Sequence, residues 1–169
     1  MTDFIYEATN EAATDALGAV LADMLPDGTT VALSGTLGAG KTRLVQAIAA
    51  AADVNRRDVV SPTFVLMQQY RGRRTIVHID AYRLRDLDEF EELGPDEFFE
   101  SDAVVLIEWA DRVEEALPRE RVEVRIEVTG DASRRFEIRA VGPRYARAVD
   151  ECRSRMRRES STEDTHRGE

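Results

Sequence analysis

The octapeptide Gly35-Thr36-Leu37-Gly38-Ala39-Gly40-Lys41-Thr42 constrains the fold of this chain more than any other stretch of it. It fills every fixed position of the pattern G-x-x-x-x-G-K-[ST], and its flanks are those the pattern requires. Thr30 to Leu33 before it is a short apolar, β-branched run bounded by Gly28 and Gly35, as a buried strand should be. After it, Lys41 to Ile48 and an alanine run have high helix propensity. Strand, glycine loop and helix in this order predict a phosphate-binding loop. Glycines let the backbone wrap closely enough for its N–H groups to point at phosphate oxygens, and the positive end of the helix favours the same anion. Lys41 is placed to reach the β- and γ-phosphates, and the Thr42 hydroxyl to bind Mg²⁺. Of the 23 basic residues Lys41 is the only lysine. A planar guanidinium fork would not replace a compact ammonium at this position.

Such a loop needs an acid to complete the metal's surroundings, usually at the end of a neighbouring buried strand. Glu108 ends Val104-Val105-Leu106-Ile107, at the carboxyl edge where open α/β sheets bind ligands, and Asp80 ends Ile76-Val77-His78-Ile79 in the same manner. Glu108 is assigned to Mg²⁺, directly or through water, and Asp80 either to the groups that support the metal's ligands from behind or to orienting the attacking water. His78 fits titration near neutrality and burial inside the sheet equally well. Arg83 and Arg112 are open to two readings, neutralising charge in the transition state or forming surface ion pairs. Trp109 reads as packing, and Asp86 to Glu100 as a solvated acidic face.

The remaining pattern implies an α/β, P-loop NTPase-like three-layer sandwich, with a mostly parallel central sheet and an antiparallel C-terminal strand pair. Phe4-Ile5-Tyr6 reads as a short strand, Asn10 to Leu25 as an amphipathic helix, and Phe64 to Tyr70 and Thr75 to Ile79 as strands around a basic turn. Asp86 to Phe99, broken by Gly94-Pro95, suggests two short helices or turns on the surface. Val122 to Val128 and Phe136 to Val141 alternate apolar and charged, as a pair solvated on one face does. Residues 1–142 are expected to form the ATPase domain. Beyond Pro143 a helix is expected to run to about Arg158, with Ser160 to Glu169 disordered for want of anything to bury.

The 169 residues carry a net charge of −10, which argues against holding nucleic acid by a general electrostatic attraction. The lone Cys152 excludes an internal disulfide and fits a reducing compartment. With no signal-peptide pattern at Met1 to Glu7 and no apolar run of the roughly 20 residues a span needs, the expectation is a cytoplasmic protein.

Taken together, Gly35 to Thr42, Ser61-Pro62-Thr63-Phe64 leading to Tyr70, His78-Ile79-Asp80-Ala81-Tyr82-Arg83-Leu84, Glu92-Leu93-Gly94 and Glu108-Trp109 resemble the TsaE (YjeE) family in order and spacing from about residue 4 to 142. The resemblance implies an ATPase that serves formation of the threonylcarbamoyl group on adenosine 37 of tRNAs reading ANN codons. It also implies a TsaB–TsaD-like heterodimer as partner, with tRNA held through that partner. Carried over by position, Gly35, Leu37, Gly38, Ala39, Gly40, Lys41 and Thr42 bind phosphate, Thr42 and Glu108 serve the metal, and Lys41, Asp80 and Glu108 serve catalysis. Ser61 to Phe64 and His78 to Leu84 look like switch regions that include Thr63 and Asp80. Asn10 and Thr14 would lie near the adenine. Thr36 departs from the family, which usually has an acid there, so nucleotide affinity is expected to differ. Two rivals share the loop: a small-molecule kinase with Arg71, Arg73 and Arg74 on a lid, and a nucleotide-gated binding module. A GTP switch is disfavoured, since its N-K-x-D motif needs a second lysine.

Overall fold

The computed structural model describes residues 2–60 and 66–166. Seven strands form one sheet: β1 (Thr2–Ala8), β2 (Thr30–Gly35), β3 (Met67–Arg71), β4 (Thr75–Asp80), β5 (Val104–Glu108), β6 (Arg121–Val128) and β7 (Arg134–Val141). Their spatial order is β1-β7-β6-β2-β5-β4-β3. The central strands β6, β2, β5 and β4 run parallel. Antiparallel β7 and β1 extend one side, and antiparallel β3 edges the other.

Alternation along the strands builds two cores. Val31, Leu33, Ile76, Val104 and Leu106 join one, while Ala32, Val77, Ile79, Val105 and Ile107 join the other. The first is covered by helices α1 (Glu11–Met24), α2 (Lys41–Ala51) and α5 (Ala146–His166), the second by α3 (Leu87–Glu91), α4 (Pro95–Phe99) and a 3₁₀ stretch, Ala110–Ala116. The three-layer sandwich with its mostly parallel centre is therefore present. Because β2 and β5 have parallel neighbours on both sides and are covered on both faces, their sequences read as unbroken apolar runs, whereas β6, parallel to β2 but antiparallel to β7, alternates, as does β7.

Three elements differ from the sequence reading. The acidic stretch 86–99 is more than a surface feature: Asp86 caps α3 by accepting from Glu89 N at 2.9 Å, and Phe90 and Phe98 are buried in the second core. Helix α5 runs to His166 rather than stopping near Arg158. Its first half buries Val149, Cys152 and Met156, and lengthening a helix that is already nucleated costs far less than starting one. Those three residues also belong to the same core as α1 and α2, so the segment after residue 142 is packed on the rest of the chain. Strand β3 begins at Met67, and the part of the expected strand at Phe64 and Val65 lies outside the described residues.

Candidate functional site

The sheet's topology gathers the candidate residues. β2, β4 and β5 are neighbouring parallel strands, so their carboxyl ends lie at one edge, and α2 begins there directly after the loop that leaves β2. The register sets Asp80 opposite Glu108. A cleft of about 360 Å³ opens at this edge, lined by Leu37, Gly38, Gly40, Lys41, Thr42 and Arg43 from the loop and helix and by Asp80, Tyr82, Arg83, Glu108 and Trp109 from the strand ends.

Two glycines are required by the geometry. A Cβ on Gly35 would meet the carbonyl oxygen of Ile126 at 2.6 Å, so β6 can lie against the loop only where there is no side chain. Gly40 takes φ of +105°, a left-handed backbone, and no side chain caps the first turn of α2. The amides of that turn are left for a ligand, the arrangement that binds anions at helix N-termini.

Lys41 is 6% exposed. Its Nζ donates to Gly35 O at 2.7 Å and Thr36 O at 2.9 Å and sits 3.9 Å from the centre of the Trp109 ring. Burial pulls its pKa below the usual lysine value, while Glu108, Asp111 and Asp80 oppose that shift. Thr42 Oγ1 donates to Glu108 Oε1 at 2.5 Å, which brings together the two residues expected to serve the metal. Glu108 is 2% exposed. Asp80 accepts from Tyr82 N at 2.9 Å; burial above all raises its pKa, and nearby Glu108 adds to the rise. His78 is fully buried with Nε2 3.6 Å from Glu108 Oε2.

These residues fit a nucleoside triphosphate and its divalent ion. An uncapped helix start, a buried ammonium, and a hydroxyl touching a buried carboxylate are what polyphosphate and Mg²⁺ need. Among the described residues no group of three or more His, Cys, Asp or Glu side chains could cage a metal unaided. A Mg²⁺ here would take Thr42 and Glu108 and complete its shell with phosphate and water, the usual arrangement for this ion.

Some expected residues stand elsewhere. Asn10 caps α1, its Oδ1 accepting from Ala13 N at 2.8 Å, and Thr14 is buried within that helix; neither lines the cleft. Their helix is nonetheless tied to the loop, since Arg43 pairs with Glu11 at 3.2 Å and Asp15 at 3.0 Å. Ala39 is fully buried, supporting the loop from below. Thr63, with Ser61 to Phe64, lies outside the described residues. The kinase lid has no basis in Arg73 and Arg74: Arg73 bonds Asp23 and Ala51 O, and Arg74 bonds Asp27 and Ala22 O, at the far end of α2 from the loop. Arg112 donates to Tyr82 O, which fixes it to the backbone beside the cleft.

Two residues escaped the sequence reading. Trp109 has a left-handed φ of +57° and packs against Tyr82 at a tilt of 41° with ring centres 4.8 Å apart, so it walls the cleft and seats Lys41. Its position after Glu108 was the available signal. Arg134, at the start of β7, donates to Ala39 O at 2.9 Å and braces the loop from the β6–β7 turn. Nothing local in the sequence marks that role.

Fold and loop define the class: an α/β protein of P-loop-like architecture, organised around the start of α2. Comparison with known proteins narrows it. Residues 8–136 match the family model described as threonylcarbamoyl adenosine biosynthesis protein TsaE, and the chain belongs to the TsaE family. Proteins called tRNA threonylcarbamoyladenosine biosynthesis protein TsaE are similar to it: one from Bacillus subtilis is 37% identical over 89% of this chain and 94% of its own length. One from Treponema pallidum is 36% identical over 72% and 89%, and one from Mycobacterium tuberculosis is 44% identical over 66% and 71%. The crystal structure of Bacillus subtilis YdiB superposes with a TM-score of 0.72 at 28% identity, covering 91% of this chain and 96% of that one. The family is one of tRNA threonylcarbamoyladenosine biosynthesis.

Proposed function

We propose that this chain is a Mg²⁺-dependent ATPase that supports threonylcarbamoylation of adenosine 37 in tRNAs reading ANN codons, working in the cytoplasm with a TsaB–TsaD-like partner pair. The observation that carries the reading is the bond from the Thr42 hydroxyl to the Glu108 carboxylate at the start of α2. It joins the phosphate loop to the acid of a neighbouring strand end, the pairing that P-loop ATPases use.

In this reading the amides of the loop and of the first turn of α2 bind the phosphates, and Lys41 turns from the Gly35 and Thr36 carbonyls to the β- and γ-phosphate oxygens. Thr42 and Glu108 hold Mg²⁺, which supplies neutralisation of the charge on those oxygens. Asp80 orients the attacking water, and the raised proton affinity that burial gives it suits a group that receives a proton. Tyr82 and Trp109 exclude water on the outer side. Arg112 is tied to the Tyr82 carbonyl and Arg83 is the arginine that lines the cleft; hydrolysis by the isolated protein is expected to be slow. The net charge of −10 suits a protein whose tRNA is held by its partners.

Trp109 is the only tryptophan and touches Lys41, so its fluorescence should change as adenine nucleotide with Mg²⁺ is titrated in. The same protein should pull down a TsaB–TsaD-like pair in a nucleotide-dependent way and release phosphate slowly. Absence of any fluorescence change and of any calorimetric heat with ATP·Mg²⁺ on folded protein would sink the reading.

A further inference from the structure

A buried imidazole without a hydrogen bond is costly, because water is lost and nothing replaces it. His78 is fully buried, and neither Nδ1 nor Nε2 has a hydrogen-bond partner among the described residues. Its Nε2 nevertheless faces Glu108 Oε2 at 3.6 Å, and the other oxygen of that carboxylate accepts from Thr42. Strand geometry fixes this meeting. β4 and β5 are parallel with His78 opposite Leu106 and Asp80 opposite Glu108, and period-two alternation sends His78 and Glu108 to the same face as Ile76 and Leu106, the face covered by α2.

We propose that His78 is a positioning residue for Glu108: its Nε2–H donates to Oε2 and sets the turn of the carboxylate, so that Oε1 faces Thr42 and the metal. The inference rests on the reading of Glu108 as the metal's acid. A closure of about half an ångström brings 3.6 Å into the ordinary N–H···O range. The need is physical, since the terminal torsion of a glutamate is broad and a carboxylate held at one oxygen only is free to rotate. Partners that orient a metal ligand typically change metal affinity by about 10- to 100-fold.

The chain has two histidines, His78 and His166, so imidazole signals of the full-length protein are simple to assign. Long-range ¹H–¹⁵N spectra should show one imidazole N–H protected from solvent, absent in His78→Gln and displaced in Glu108→Gln. By calorimetry, Mg²⁺ should tighten ADP binding in the wild type. In His78→Leu that gain should shrink about 10-fold with Mg²⁺-free ADP affinity unchanged, and His78→Gln, which keeps a donor, should recover most of it. A merely structural His78 would lower thermal stability without changing the ratio of affinities with and without Mg²⁺. A wild type that gains nothing from Mg²⁺ removes the metal reading of Glu108 and this proposal with it. A wild type that gains while His78→Leu gains equally, or a wild type with no protected imidazole N–H, overturns the positioning role alone.

Discussion

Charges at the carboxyl edge of the parallel strands and charges on the antiparallel wing β6-β7-β1 are the same kinds of side chain under opposite rules. On the wing they are paired at the surface: Arg121 and Arg139 both reach the half-buried Glu123, and Arg135 bonds Glu7 at 2.6 Å in the open. Exposed pairs of this sort add little, because water screens them and long side chains must be ordered to form them. At the strand ends Lys41 and Glu108 are buried, and the buried His78, with no hydrogen-bond partner among the described residues, faces Glu108 at 3.6 Å. Desolvation makes such groups a cost to the fold, and they persist where chemistry needs them. The wing shows how this chain stays charged; the edge shows where it gives up stability for a site.

The largest expected effect comes from removing the buried cation. Lys41→Ala should lower ATP turnover and Mg²⁺-nucleotide affinity by about 10²- to 10³-fold with the fold intact, checked by phosphate release and calorimetry alongside circular dichroism. Next, Gly35→Ala drives a Cβ into the Ile126 carbonyl at 2.6 Å in a backbone region hostile to side chains. It should destabilise the protein by about 2–3 kcal/mol in urea melts and abolish nucleotide binding as well.

Asp80→Asn should do the reverse. Burial raises the Asp80 carboxyl above its ordinary 3.8, so in the window just above that value the folded state binds a proton that the unfolded chain lacks. Stability therefore falls as pH rises through this window, and the cost is fully present at neutrality and absent below it. The variant should melt higher than the wild type at pH 7, equally at about pH 3.5, and hydrolyse ATP poorly. The smallest effect belongs to the wing: Glu7→Gln or Arg135→Gln should leave turnover unchanged and shift Tm by no more than about 2 °C.

The comparison also explains what the sequence could reveal. The strand, loop and helix from Thr30 to Ile48 were legible because periodicity, glycine spacing and helix propensity all act within a few residues of one another. Glu108 and Asp80 were legible because each ends an apolar run. The support around them was not. Arg134 reaches Ala39 O across the sheet, and the Trp109 ring meets Lys41 only after β2 and β5 pair in register. The local use of Asn10 is a short-range signal, since asparagine before a helix is a strong N-cap, and it leaves the expected place near the adenine untested. The last turns of helix α5 leave no periodic signal because they offer little to bury. Hydroxyl bonds such as Ser160 to Met156 O and Thr162 to Arg158 O accompany a backbone that continues once the buried half has nucleated it.

The single cysteine has a practical consequence. Cys152 is wholly buried on the inner face of α5, and burial pushes its thiol up to about 12, so almost no thiolate exists near neutral pH. A sulfhydryl reagent added to native protein must wait for that helix to lift. The labelling rate then clocks the detachment of the C-terminal segment in an unmodified sequence.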